Sequence, residues 1–168
     1  MHIRRLAPED ALVYREFRLR GLREHPAAFT SSHEEEIVQP LATTGRRLAA
    51  DSETRMLGAF VGATLAGAVG LAGETRLKNR HKATVVAMYV QPEFARRGIG
   101  RALVERLIVE ARAMGIEQLV LTVTASNPGA RKLYANAGFE TFGFEPRAIK
   151  VHSAYHAKEY MLLPLVSG

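Results

Sequence analysis

Residues 83–103, ATVVAMYVQPEFARRGIGRAL, decide how this chain folds. Ala83 to Val90 is an apolar, β-rich run, and Pro92 stops it because a proline has no N–H to give to a strand ladder. The turn Pro92-Glu93-Phe94-Ala95-Arg96-Arg97-Gly98-Ile99-Gly100 comes next. Beyond it Leu103, Val104, Leu107, Ile108, Ala111 and Met114 recur at helical spacing, with Gly115 where a left-handed C-terminal residue is wanted. Strand, glycine turn and helix in this order form an anion site. Glycines let main-chain N–H groups turn toward one point, and the helix adds the positive end of its dipole. Phosphate is the natural guest. A dinucleotide fingerprint would need a third glycine where Leu103 stands, and no Gly-Lys-Ser/Thr occurs for a phosphate loop. Taken alone, Gly98 and Gly100 also allow a purely structural reading as a tight strand-to-helix turn.

Upstream, His2 to Leu6 reads as a short strand, and Pro8-Glu9-Asp10 starts a helix that runs to about Glu24. Thr30-Ser31-Ser32 before Glu34-Glu35-Glu36 marks a second helix start, and Pro40 breaks that helix into two short pieces. Met56 to Val61, Leu65 to Ala72 and Ala83 to Val90 form three consecutive antiparallel strands. Downstream, Leu119 to Thr124 is a buried strand and Asn127-Pro128 caps a helix that Gly138 closes. Strands around Glu140 to Phe144 and Glu159 to Leu163 complete one α/β domain, a mixed sheet sandwiched with helices.

A chain of 168 residues, 47% of them apolar, suffices for one core, so residues 1–168 read as a single domain. No apolar run is long enough to cross a bilayer, and Met1 to Arg20 lack the apolar stretch of a signal peptide, which points to a cytoplasmic protein. The absence of cysteine excludes disulfides, thiolate metal sites and cysteine nucleophiles. The net charge of +6 suits a polyanionic partner: nucleic acid, a membrane surface or a phosphorylated cofactor. Arg15, Arg18, Arg20 and Arg23 read as a solvated helix face, whereas Arg96 and Arg97, with Arg101 close by, lie in the glycine turn.

A second cluster is Asn127-Pro128-Gly129-Ala130-Arg131-Lys132-Leu133-Tyr134-Ala135-Asn136-Ala137-Gly138-Phe139. Positions 127, 130 and 134 project from nearly one side of a helix, so that side carries an amide, a small gap and a phenol. Leu133 and Ala137 flank it and serve the core. By themselves Tyr134 also fits a half-buried aromatic and Asn127 a simple N-cap.

Together the two clusters resemble the GNAT superfamily of acyl-CoA N-acyltransferases. Its signature pairs a Gln/Arg-x-x-Gly-x-Gly/Ala turn with an Asn-x-x-Ala-x-x-Leu-Tyr-x-x-x-Gly-Phe helix. The second element is matched in full, and the first at Gly98 and Gly100 but not at its leading position, where Ala95 stands. The resemblance implies a mixed, mostly antiparallel twisted sheet of about seven strands, flanked by about four helices and splayed at strands 4 and 5. It also implies an N-acetyltransferase that uses acetyl-CoA and no metal. The diphosphate would lie on the main chain of Arg96, Arg97, Gly98, Ile99, Gly100 and Arg101, and the pantetheine arm along Met88, Tyr89 and Val90. Asn127 and Ala130 would face that arm. An amine attacks the thioester, a strand amide near Met88 or Tyr89 supports the oxyanion, and Tyr134 protonates the thiolate.

A base for the amine is not evident. Glu34, Glu74 and His81 are candidates, each reading better as a surface group, and a chain of waters would serve instead. The acceptor, a small molecule or a peptide amine, would enter over the first two helices, with Phe29 in the Pro26 to Ser32 segment as a wall. The resemblance further implies a homodimer. The rival reading is a module that binds acyl-CoA without turnover. A nucleic-acid partner is not expected, because aromatic residues make up 7% of the chain and it has no Trp, and no membrane partner is expected either. His152 and His156 have metal-ligand spacing but no third partner, and no Gly-x-Ser-x-Gly elbow exists.

Overall fold

The computed structural model describes residues 1–166. Seven strands form one sheet: β1 (His2–Arg5), β2 (Thr54–Val61), β3 (Thr64–Gly73), β4 (Lys82–Val90), β5 (Gln118–Thr124), β6 (Glu140–Val151) and β7 (Ala154–Pro164). Their order is β1-β2-β3-β4-β5-β7-β6, and every neighbouring pair is antiparallel except β4 with β5. The helices are α1 (Ala11–Glu24), α2 (His33–Ile37), α3 (Leu41–Leu48), α4 (Ile99–Ala113) and α5 (Pro128–Asn136).

Local signals account for these boundaries. Val61 pairs with Thr64 across a two-residue turn in which Gly62 takes φ +60°, the conformation a tight hairpin requires. Ser32 and Glu35 form a reciprocal capping box, the hydroxyl accepting from the Glu35 N–H at 3.1 Å and the carboxylate from the Ser32 N–H at 3.0 Å. Pro40 separates α2 from α3.

Two cores lie on opposite faces of the sheet. On one face α4 buries Ile99, Leu103, Val104, Leu107 and Ala111 against Leu57, Val69, Val85, Leu119 and Leu121, and Tyr134 and Phe139 join this cluster. On the other face Tyr14 and Phe17 of α1 and Leu48 of α3 pack on Met56, Leu65 and Tyr89. Met114, read from the sequence as part of the apolar stripe of α4, is instead its exposed C-cap, and Gly115 takes the left-handed φ of +74°.

The last two strands are longer than the sequence suggests, reaching to Val151 and starting at Ala154. Their pairing is irregular between Glu145 and Ile149, next to Pro146, and most of β6 is solvated. Alternation of apolar and polar residues is therefore weak there, which hid the outer half of the hairpin.

Candidate active site

The parallel pair β4 and β5 is joined only from Lys82↔Gln118 to Thr84↔Val120. Beyond Thr84 the two strands part, although β5 stays paired with β7 as far as Thr124↔Lys158. Within the parted stretch of β4, Ala68 faces Tyr89 while Gly70 faces Val86, so Ala87 and Met88 oppose the single residue Val69. This is a β-bulge, and Ala87 sits at φ +54°, a left-handed conformation unusual for alanine. The bulge shifts the side-chain alternation by one. Ala83 and Val85 face α4 before it and Met88 and Val90 after it, leaving Tyr89 on the α1 face. Gln91 donates its N–H to Ala66 O of β3 at 2.9 Å, so alternation along the strand points the amides of Val90 and Met88 to the edge that β5 has left.

The parting opens a cleft of about 500 Å³. One wall is α5, from which Asn127, Ala130 and Tyr134 all line the space. Asn127 Oδ1 caps the helix by accepting the Ala130 N–H at 3.0 Å. The Tyr134 ring is 5% exposed and packs edge-on against Phe139, with ring centroids 5.7 Å apart. Burial pushes its phenol well above the ordinary tyrosine range. Among the described residues no side chain or carbonyl holds its hydroxyl.

Beyond the end of β4 lies the glycine turn. Arg96 and Gly98 take φ of +60° and +76°, alternating left-handed positions that turn successive amides to one side. Gly98 is the N-cap of α4, and Ala102 N–H is bound to Gly98 O at 3.0 Å, leaving the amides of Ile99, Gly100 and Arg101 outside the intrahelical ladder. A Cβ on Gly100 would stand 3.4 Å from Leu133, so its absence lets the start of α4 lie close against α5. Arg20 ties the turn to α1 through Glu93 at 2.7 Å.

The opposite wall is assembled from α1, α3 and the segment between His25 and Ser32. Thr124 Oγ1 donates to Ala27 O at 2.6 Å and Lys158 Nζ to Thr30 Oγ1 at 3.0 Å, so the segment is fastened across the gap to β5 and β7. Phe29 meets Tyr89 edge-on, and Tyr89 is also packed on Phe17 at 4.9 Å and His25 at 5.7 Å. The Tyr89 hydroxyl donates to Glu24 at 3.2 Å, and burial together with that carboxylate pushes its pKa up to about 12. Arg18 and Arg47 line the same wall and share the carboxylate of Glu36, at 2.7 and 3.3 Å. Burial opposes ionisation of Glu36, but the two guanidiniums outweigh it and hold the acid below its usual range.

Residues 15–139 match the sequence model of the Acetyltransferase (GNAT) family, and these are most of the chain. The chain belongs to the GNAT family. Among curated GNAT relatives, the [ribosomal protein bS18]-alanine N-acetyltransferase of Salmonella typhimurium is 47% identical over 58 residues. That match covers 34% of this chain and spans 39% of the relative's length. A GNAT-family acetyltransferase from Streptococcus pneumoniae superposes with a TM-score of 0.86 at 26% identity, over 97% of this chain and 98% of that one. The yncA protein of Salmonella typhimurium, solved with its cofactor acetyl-CoA, shares the fold with a TM-score of 0.82 at 22% identity, over 100% and 95% of the two chains.

Set on this GNAT frame, the residues singled out in the sequence fall into three groups. Phe29, Met88, Asn127, Ala130 and Tyr134 line one cleft. Tyr89, Val90 and Arg96 to Arg101 do not line it: Tyr89 and Ile99 turn their side chains into the two cores, and the turn lies past the end of β4. Glu34, Glu74 and His81 are exposed and none reaches the cleft, because Glu34 sits on the outer turn of α2 while Glu74 and His81 stand beyond strand ends. Three of the four arginines read as a solvated face are tied down, Arg15 to carbonyls of residues 37 and 39, Arg18 to Glu36 and Arg20 to Glu24 and Glu93. Arg23 is exposed as expected. Arg18, Arg47 and Lys158 went unnoticed as site residues, since nothing in their local sequence distinguishes them from surface cations. Among the described residues no cluster of three or more His, Asp or Glu is placed to hold a metal, and no helix is long and apolar enough to cross a membrane.

Proposed function

We propose that this chain is an N-acetyltransferase that moves the acetyl group of acetyl-CoA to a primary amine of a small molecule or peptide, by direct attack on the thioester. One observation carries the reading: the edge of β4 that β5 leaves free faces the same cleft as the unpartnered phenol of Tyr134. The residues present suit such a co-substrate. The freed edge offers main-chain groups to the amides of an extended arm, and the turn at Arg96 to Arg101 offers amides and a helix dipole to a diphosphate. Acetyl-CoA supplies the activated carbonyl, and the remaining work falls to residues of this chain. Met88 N–H, pointed to the open edge, supports negative charge on the carbonyl oxygen. Asn127 and Ala130 border the path of the arm. Tyr134 holds a proton beside the place of the leaving sulfur.

The phenol's high pKa changes the expected balance of that last step. From ordinary values a tyrosine and a thiol are closely matched. Burial raises the phenol and makes it a more reluctant donor, while a thiolate formed in the same cleft would also be penalised, which narrows the mismatch. A homodimer in the cytoplasm, free of nucleic acid and membrane, belongs to the same reading. The test is acetyl-CoA consumption over a panel of amines, with Tyr134→Phe as control. The variant should retain acetyl-CoA binding by calorimetry and lose at least about tenfold in kcat. Unchanged turnover with binding intact would remove Tyr134 from the reaction.

A further inference from the structure

The charge of the cleft is one-sided. No Asp or Glu is among the residues that line the space, and Glu36, which does not line it, is held by Arg18 and Arg47 together. Three cations do line it: Arg18, Arg47 and Lys158. They converge on one short segment, because Arg18 donates to Ser31 Oγ at 3.3 Å while Lys158 donates to the hydroxyl of its neighbour Thr30 at 3.0 Å. Arg47 joins them through the shared Glu36.

Two further carboxylates stand nearby, of which only Glu159 has a cationic partner. Glu145, the register partner of Lys158, accepts from Tyr160 at 2.6 Å, and Glu159 is bound by Arg131 at 2.8 Å. Lys158 has no carboxylate within salt-bridge distance among the described residues, and burial pushes its ammonium below the ordinary lysine range, outweighing the opposing charge of Glu145. Two guanidiniums and an ammonium face the shared Glu36 and, from across the β6–β7 pair, Glu145, which still leaves positive charge in excess in a confined space. Such a surface is stabilised by an incoming anion, and a guanidinium pairs best with a planar or tetrahedral oxyanion.

Resting on the acetyltransferase reading above, we propose that the acceptor is a small amino acid or aminophosphonate, its anionic group seated against Arg18, Arg47 and Lys158 and its amine directed to the β4 edge. The cleft, about 500 Å³, is large enough for the acyl end of the donor together with a small acceptor. The arrangement also accounts for the lack of a side-chain base. Cations around the amine favour its neutral, nucleophilic form, so the wall that anchors the acceptor lowers the cost of deprotonating it. A polyamine or a basic peptide would meet like charges at the same place.

The test uses the full chain and a panel of the protein-forming α-amino acids, their α-amides, the corresponding decarboxylated amines and the 1-aminoalkylphosphonates. Binding is read by calorimetry and turnover by release of CoA. At least one acid should exceed its own amide by about a hundredfold in kcat/KM, the size expected when a buried charge pair is lost. Comparing carboxylates with phosphonates shows which oxyanion is preferred. Arg47→Gln should cost the preferred acid at least about tenfold more in KM than it costs the amide, with kcat little changed. Binding of an acid without turnover would leave this inference standing and overturn the acetyltransferase reading. Amides or plain amines turned over as well as the acids, no binding by any anionic member, or an equal effect of Arg47→Gln on acid and amide would overturn the inference.

Discussion

The α5 wall of the cleft comes from one continuous stretch, Asn127 to Tyr134, whereas the opposite wall gathers Tyr14, Arg18, Phe29, Ser31 and Arg47 from α1, α3 and a connecting segment. The first wall and the neighbouring turn work through helix caps, left-handed glycine and main-chain amides, all properties of local sequence. The second works through side chains that meet only after α1 and α3 have packed on the sheet, with Tyr89 wedged between them and the segment at Phe29. A donor shared across a family can be held by backbone, while a particular acceptor must be recognised by side chains free to vary. The two walls should therefore respond separately to substitution.

The sharpest challenge to that separation is Gly21→Ala. A Cβ there would stand 3.0 to 3.2 Å from three atoms of the Tyr89 ring, and the ring is hemmed in by Phe17, His25 and Phe29. Overpacking should cost about 1–3 kcal/mol, read by urea denaturation, and acetyl-CoA affinity of the folded protein should stay at its original value. A fall in that affinity would show the walls to be coupled. Gly98→Val probes the other side. It forces a β-branched residue to φ +76° at the start of α4, a strain of about 1–2 kcal/mol. Acetyl-CoA binding should weaken by about tenfold in calorimetry while the KM of the acceptor holds steady.

Smaller effects sharpen the picture. Thr124→Val removes the hydroxyl that fastens Ala27 across the gap and should cost about 1 kcal/mol, with a several-fold rise in acceptor KM and none in that of acetyl-CoA. The least effect concerns pH. Burial raises the folded-state pKa of Tyr134, so the unfolded chain releases its phenolic proton first, near pH ~10. Stability is then complete below that pH and declines as pH rises from there toward the folded-state value. Tyr14 and Tyr89 shift in the same direction. Denaturation curves at about pH 10.5 should show Tyr134→Phe declining less than the parent, by no more than about 1 kcal/mol. Identical slopes would mean that the phenol is hydrated in the folded cleft.

The bulge in β4 shows where reading the sequence stops. Ala83 to Val90 looks like an unbroken strand, and nothing in Val85-Val86-Ala87-Met88 announces that Ala87 will turn left-handed. Without the bulge Tyr89 would belong to the α4 face, and so taking it only as a main-chain contact to the donor misses its packing under α1. Glu34, Glu74 and His81 lie away from the cleft, on the surface that their sequence reading favoured. Residue type alone singled them out, and type does not say which end of a strand or which face of a five-residue helix looks into a space that forms elsewhere.

What the sequence by itself determined is everything carried by periodicity and backbone preference: the strand-turn-helix at residues 83–103, the capped helix at Asn127, the left-handed glycines, and through the two motifs the family. These depend on neighbours within a turn or two of chain, so they are written locally. The splay of β4 from β5 was implied through the same motifs, but tertiary structure decided that it begins after Thr84, and it alone decided the fastening of the Ala27 to Ser31 segment across it and the meeting of Arg18, Arg47 and Lys158. Those three lie 29 and 111 residues apart in order along the chain. Their proximity arises from sheet order and helix packing, which no local pattern encodes.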